Sequence, residues 1–308
     1  MGTSPSGEQF EIRRGDQRAT IVEVGGGIRE YASGDRLVLD PYPFDALCDG
    51  EHGTPLIPWP NRLADGAYRF DGTDYTVALN EPERHNAIHG FLSWRSWHAV
   101  EHDTTRVVMG TRLRPLAGYP FALDIGVTYE LGGDGLVVST TAVNIGEQAC
   151  PYGSGQHPYL SPGAGVVVDE CILELGASTR ILTANRRQLP TGTATVEGTE
   201  FDFRAGRRIG DQNLDTPFTD LDRDQAGRAW ARLTAPDGTR TEMWVDHHYP
   251  IIEIYTGDTL SPPRRRVGLG TEPMTCPPNA FQTGNGLTRL EPGQSLTTTW
   301  GARLKTDE

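Results

Sequence analysis

The sequence contains no run of about 20 apolar residues, the length a bilayer-spanning helix requires, so a helical membrane protein is excluded. Its first residues, Met1 to Gly7, lack the basic and apolar regions of a secretory signal. These two absences predict a soluble cytoplasmic protein with no membrane partner. Cysteine is scarce: Cys48, Cys150, Cys171 and Cys276 are widely scattered, with no CxxC pair. That spacing excludes zinc-ribbon and dithiol redox chemistry and a disulfide scaffold, and predicts reduced, structural thiols. Basic charge is in deficit, with 28 basic residues against 41 acidic ones and a net charge of -13. A surface of that sign repels polyanions, so nucleic acid is excluded as a partner. No stretch sustains a helical period, and no fixed-period repeat suggests a propeller or a solenoid.

What remains is alternation. Apolar and polar residues alternate in many short runs, among them Thr20 to Val24, Arg106 to Leu113, Leu136 to Val143, Glu242 to Asp246 and Ile251 to Tyr255. Period two predicts strands with one face buried. Between Tyr68 and Leu79, two alternating arms flank Asp71-Gly72, the signature of a hairpin. The 37 glycines and 22 prolines are spread throughout, as punctuation between strands and not as one linker. The expectation is an all-β chain, 1–308 in one domain, whose packed antiparallel sheets offer a concave face as a site.

Five segments carry residues capable of chemistry. Arg62, in Pro58-Trp59-Pro60-Asn61-Arg62, offers several fixed donors to sugar hydroxyls or a carboxylate. His85 and His89 in His85-Asn86-Ala87-Ile88-His89-Gly90 stand four apart, but the flanks are not helical and HExxH is absent, so no metal is expected. His157, held out of helix by Pro158, suits a proton donor near neutral pH. Glu272, in Gly270-Thr271-Glu272-Pro273, sits in a glycine-rich apolar stretch where burial would raise its pKa toward that of a useful base. Asp215 opens Asp215-Thr216-Pro217-Phe218, within an acidic stretch from Asp211 to Asp224 that reads as a solvated loop. Taken singly, each has a plain structural reading: a surface arginine, a strand-end histidine, an exposed glutamate.

In this order the segments resemble the aldose 1-epimerase (galactose mutarotase) family, from about Thr54 to the last strand. Asn61-Arg62 with Gly66 looks like its NRxxxG block, His89-Gly90 like its HG and His157-Pro158-Tyr159 like its HPY. Asp215 to Phe218 resembles its DxxF, and Glu272-Pro273 its EP. Two positions depart from the pattern: Phe91 stands where many members have a second glycine, and Leu160 where an aromatic often follows HPY. The resemblance implies a large antiparallel β-sandwich, the galactose mutarotase-like supersandwich, and a mutarotase needing no cofactor. It implies Glu272 as general base, His157 as general acid, and Arg62, His89 and Asp215 as the residues that hold the sugar.

The implied reaction interconverts α and β anomers. A base removes the C1 hydroxyl proton, an acid protonates the ring oxygen, and the ring recloses on the other carbonyl face. The expected partner is a neutral free aldohexose such as galactose or glucose. The alternatives are an anionic sugar, a sulfonated hexose or hexose phosphate met by the Arg264-Arg265-Arg266 run, and a non-catalytic sugar-binding protein on the same fold. A glycosidase would pair Glu272 with Asp215 and leave His157 without a purpose.

Overall fold

The computed structural model describes residues 4–183 and 185–305, and almost all of its regular structure is strand. The alternating runs become strands Arg106–Leu113, Leu123–Gly132, Gly135–Asn144, Arg240–Val245 and Ile251–Tyr255. In Leu123–Gly132 the buried set is Leu123, Ile125, Val127, Tyr129 and Leu131, every second residue, as a one-sided sheet demands. The Asp71-Gly72 turn joins Ala67–Phe70 to Thr73–Thr76 as expected.

Two large antiparallel sheets face each other. One runs in the order Gln9–Arg14, Gln17–Val22, Ile28–Ser33, Arg36–Leu39, Tyr159–Leu160, Leu269–Met274, Ile251–Tyr255, Asp215–Leu221, Ala177–Leu182 and Gly192–Thr195, with Pro55–Leu56 and Gly155–Gln156 attached. The other runs His98–His102, Arg106–Leu113, Leu123–Gly132, Gly135–Asn144, Ser295–Lys305, Arg240–Val245, Ala229–Thr234, Ile172–Leu175 and Arg207–Arg208. One apolar cluster takes Ile12, Ile21, Ile252, Ile254 and Leu269 from the first sheet and Val127, Val138, Met243 and Trp300 from the second. Each fully buried Val, Leu or Ile contributes on the order of 1.5–3 kcal/mol, so these stripes, more than any single turn bond, hold the sheets together. Polar cross-links fix their relative position: Trp300 Nε1 donates to Gln156 Oε1 at 3.0 Å, and the Tyr129 hydroxyl donates to Gly26 O at 2.6 Å. Among the described residues no helix is long and apolar enough to cross a membrane.

The first sheet is buried on both faces near its centre. Ile252 and Ile254 enter the shared core, while Ile251 joins Ile181 and Met274 in a separate cluster on the opposite face. Register then decides what lies beside what on that opposite face. Ile251 pairs with Met274, Glu253 with Glu272 and Tyr255 with Gly270, and Asp215 pairs with Tyr255. The solvated loop expected over 211–224 is corrected here: Asp215–Leu221 is an interior strand with Thr216, Pro217 and Phe218 buried. Two features hid it. Its charges flank the buried residues, and Pro217, which donates no ladder bond, argues against a central strand.

Candidate active site

The geometry begins at Asn61, which adopts a left-handed backbone (φ 57°), a conformation asparagine tolerates better than most residues. Its side-chain Oδ1 accepts the Arg62 N–H at 2.8 Å. Asn61 and His89 then clasp each other: the Asn61 N–H donates to His89 Nδ1 at 3.1 Å, and the His89 N–H donates to Asn61 O at 3.1 Å. His89 is itself left-handed (φ 62°), and the following Gly90 is obligatory, since a Cβ there would stand 2.0 Å from Ile57 O. Phe91, the departure after His-Gly, is half-buried with its ring edge-on to Trp59 at 4.8 Å, a packing role. Leu160 is wholly buried in the core between Leu39 and Leu269, so neither departure enters the site.

His157 is tied by backbone bonds to Gly53 and Thr54, and its ring stacks on Tyr159 at 4.9 Å. Glu272 reaches it from Leu269–Met274, with His157 Nε2 3.1 Å from Glu272 Oε1. Both side chains are almost wholly buried, and the second carboxyl oxygen, Oε2, has no protein partner. Burial, reinforced by Asp215, pushes Glu272 well above the usual carboxylate range. Burial, reinforced by His52, pushes His157 down to about 3. Desolvation disfavours charge on either member, so burial favours a neutral pair with one proton between Nε2 and Oε1. Burial and the neighbouring His157 also hold His89 well below its ordinary value.

Arg62 places Nε 3.1 Å from both Glu81 oxygens and a terminal nitrogen 3.7 Å from Asp215 Oδ2. Burial acts to discharge the guanidinium, but Asp215 and Glu81 overcome it and hold its pKa up. Asp215 also accepts from Gln188, in a loop that Arg187 pins to Asp65, His85 O and Asn86. All five residues singled out from sequence, Arg62, His89, His157, Asp215 and Glu272, therefore line one cavity of about 360 Å³, a size typical of small-ligand sites.

Four further residues belong to this site and escaped sequence reading. Glu81 and Tyr255 line the cavity and Gln188 binds Asp215, with no local signal that marks them. Glu253 did leave a trace: it is one carboxyl inside the apolar run Ile251-Ile252-Glu253-Ile254-Tyr255, hence a buried charge in need of partners. Of the three tryptophans near the motifs, Trp59 and Trp97 are core residues and Trp94 is exposed. The Arg264 to Arg266 run does not form an anion cradle. Arg264 binds Asp40 at 2.7 Å and His52 at 2.9 Å, and Arg266 binds Asp169 and Asp258.

His89, His157 and Glu272 bring potential metal-ligand atoms within 4.8 Å of one another. The hydrogen bonding favours another use. With Nδ1 accepting from Asn61, the proton of neutral His89 lies on Nε2, so a metal there would have to displace it or break the Asn61 bond. What the arrangement offers is a proton-sharing acid/base pair beside a cationic and hydroxyl-binding wall.

Comparison with known proteins identifies the family. The family model for aldose 1-epimerase matches residues 8–302. The chain is 36% identical over 298 residues to an uncharacterized protein, YihR, of Escherichia coli K12, covering 94% of this chain and 91% of that one. It is 32% identical over 288 residues to human galactose mutarotase, covering 84% and 81%. In fold it is similar to a GalM/aldose epimerase homologue from C. elegans, with a TM-score of 0.86 at 19% identity over 98% of this chain and 99% of that one. The chain belongs to the aldose 1-epimerase family.

Proposed function

We propose that this protein is a mutarotase that interconverts the α and β anomers of a free aldohexose such as galactose or glucose. The observation that carries the reading is the buried His157–Glu272 contact of 3.1 Å within the cavity that Arg62, His89 and Asp215 line. Glu272 Oε2, free of protein partners, accepts the C1 hydroxyl proton, and the proton held between Oε1 and Nε2 passes through His157 to the ring oxygen. The C1–O5 bond breaks as the C1 carbonyl forms, and the pair still holds one proton. Reclosure on the other carbonyl face reverses both transfers, so neither a covalent intermediate nor an external reductant is needed. Arg62, His89 Nε2–H and Asp215 orient the hydroxyls, which is where proximity contributes.

The charge of the walls favours a neutral sugar. Glu81, Glu83, Asp215 and Glu272 face Arg62 and Arg84, a surplus of carboxyl groups, and Arg62 and Arg84 both bind Glu81. An anionic sugar would have to compete for guanidinium groups already engaged. The test is anomer exchange by NMR for galactose, glucose, glucose 6-phosphate and 6-sulfonated glucose at low and high salt. Exchange of the neutral sugars, little changed by salt, is expected. A strong preference for an anionic sugar would show the substrate class to be wrong, and exchange of none would leave a sugar-binding protein.

The two histidines should separate. His157→Asn removes the proton carrier and should lower the exchange rate on the order of 10²–10⁴-fold at similar affinity. His89→Asn loses a positioning donor and should act mainly on KM. Equal effects of both variants on kcat and KM would contradict the division.

A further inference from the structure

Glu253 is 2% exposed, yet no arginine or lysine forms an ion pair with it among the described residues. Its Oε2 accepts from Asn61 Nδ2 at 2.6 Å, and Asp215, paired with Tyr255, lies diagonally across the ladder on the same face. Carboxyl groups gathered without a cation on each repel one another until one carries a proton. Asp215 is 21% exposed, faces Arg62 and accepts from Gln188, so it is the better solvated and better compensated of the two. The proton therefore belongs on Glu253. Directly across the ladder lies Glu272, and directly opposed side chains in an antiparallel pair sit about 4.5–5.5 Å apart at Cβ.

We propose that Glu253 is a positioning carboxylic acid for the reaction: protonated, it accepts from Asn61 and keeps the cross-strand neighbour of Glu272 uncharged. This rests on the mutarotase reading and deepens it. The reactive form needs a Glu272 carboxylate beside a protonated His157. A negative Glu253 would oppose the first charge in a buried, weakly screened setting and trap the shared proton on Glu272. A neutral Glu253 removes that opposition and anchors Asn61, which clasps His89. The groups facing Glu253 point the same way: Glu272 and Asp215 from the flanking strands oppose its ionisation, and only Arg62, already held by Glu81, favours it. Burial comes first among the causes that raise its proton affinity.

Glu253→Gln keeps the hydrogen bond from Asn61, with its carbonyl toward that amide, and can never become charged. In this variant the alkaline fall of kcat should move up by about one pH unit or more. Glu253→Ala loses the Asn61 anchor and should lower kcat on the order of 10²-fold. Independently of activity, the infrared difference between wild type and Glu253→Gln at pH 7 should contain a protonated-carboxyl C=O band. A carboxylate band in that difference would overturn the proposal, as would pH profiles that superimpose. Absence of exchange in the wild type would instead defeat the mutarotase reading, and the infrared result would still decide where the proton resides.

Discussion

Glu272→Gln should abolish anomer exchange, with a loss on the order of 10²–10⁴-fold in kcat, while sugar affinity changes by less than about threefold. The amide keeps the volume of the carboxyl, and its N–H can donate to His157 Nε2, so the buried contact survives in shape. What disappears is the basicity of the oxygen that takes the C1 proton, Oε2, which has no protein partner. The loss should persist at every pH. His157 gains a second proton only near pH 3, and burial raises Glu272 above the usual carboxylate range, so the wild-type rate should not fall between neutrality and about pH 4. NMR exchange rates with saturating galactose measure the first effect, and line broadening of the bound sugar the second. Exchange near the wild-type rate in this variant would remove Glu272 from the mechanism.

Arg62→Met should destabilise the fold by about 3–5 kcal/mol, because it strands buried carboxylates. The pair itself is worth little: desolvating Arg62 and Glu81, whose side chains are 9% and 10% exposed, offsets most of their attraction. The asymmetry decides the outcome. With Arg62 gone, Glu81 keeps Arg84 at 3.2 Å and the neutral Asn86 amide at 2.8 Å, and Asp215 loses its guanidinium neighbour. Adding Glu81→Gln should therefore return more than half of the lost stability without returning activity. Urea unfolding of the single and double variants measures this coupling. A single variant within about 1 kcal/mol of wild type would show that the pair is solvated in solution, as surface pairs are.

Strand character was legible because side-chain alternation is local, and the short motifs were legible because they are contiguous. Asn61-Arg62, His89-Gly90, His157-Pro158 and Glu272-Pro273 each combine a functional side chain with a backbone constraint within two residues. Phe91 and Leu160 depart from the family pattern, and they pack against Trp59 and in the core. What the sequence did not disclose is register. Glu253 lies opposite Glu272 only because Ile251 pairs with Met274, and a one-residue slip of Ile251–Tyr255 would send Glu253 into the core. Asp215 was seen but misplaced in a loop, since Pro217 and the surrounding acids mask a strand that two neighbours enclose. Glu81 reaches the site through Arg62, and its loop says nothing of that partner.

Strand Ser295–Lys305 lies in the middle of the nine-stranded sheet, between Gly135–Asn144 and Arg240–Val245. A chain emerging residue by residue from the ribosome must wait for it. Until it arrives, Gly135–Asn144 presents an open ladder edge of ten residues, rich in valine and threonine, the kind of edge that recruits another chain. Non-local pairing of this kind is slow to form, and intermediates that expose strand edges are prone to associate. Biogenesis of this protein should therefore depend on keeping that edge covered until Ser295–Lys305 has been made, and its yield should respond to chaperone supply more than the stability of the finished sandwich would suggest.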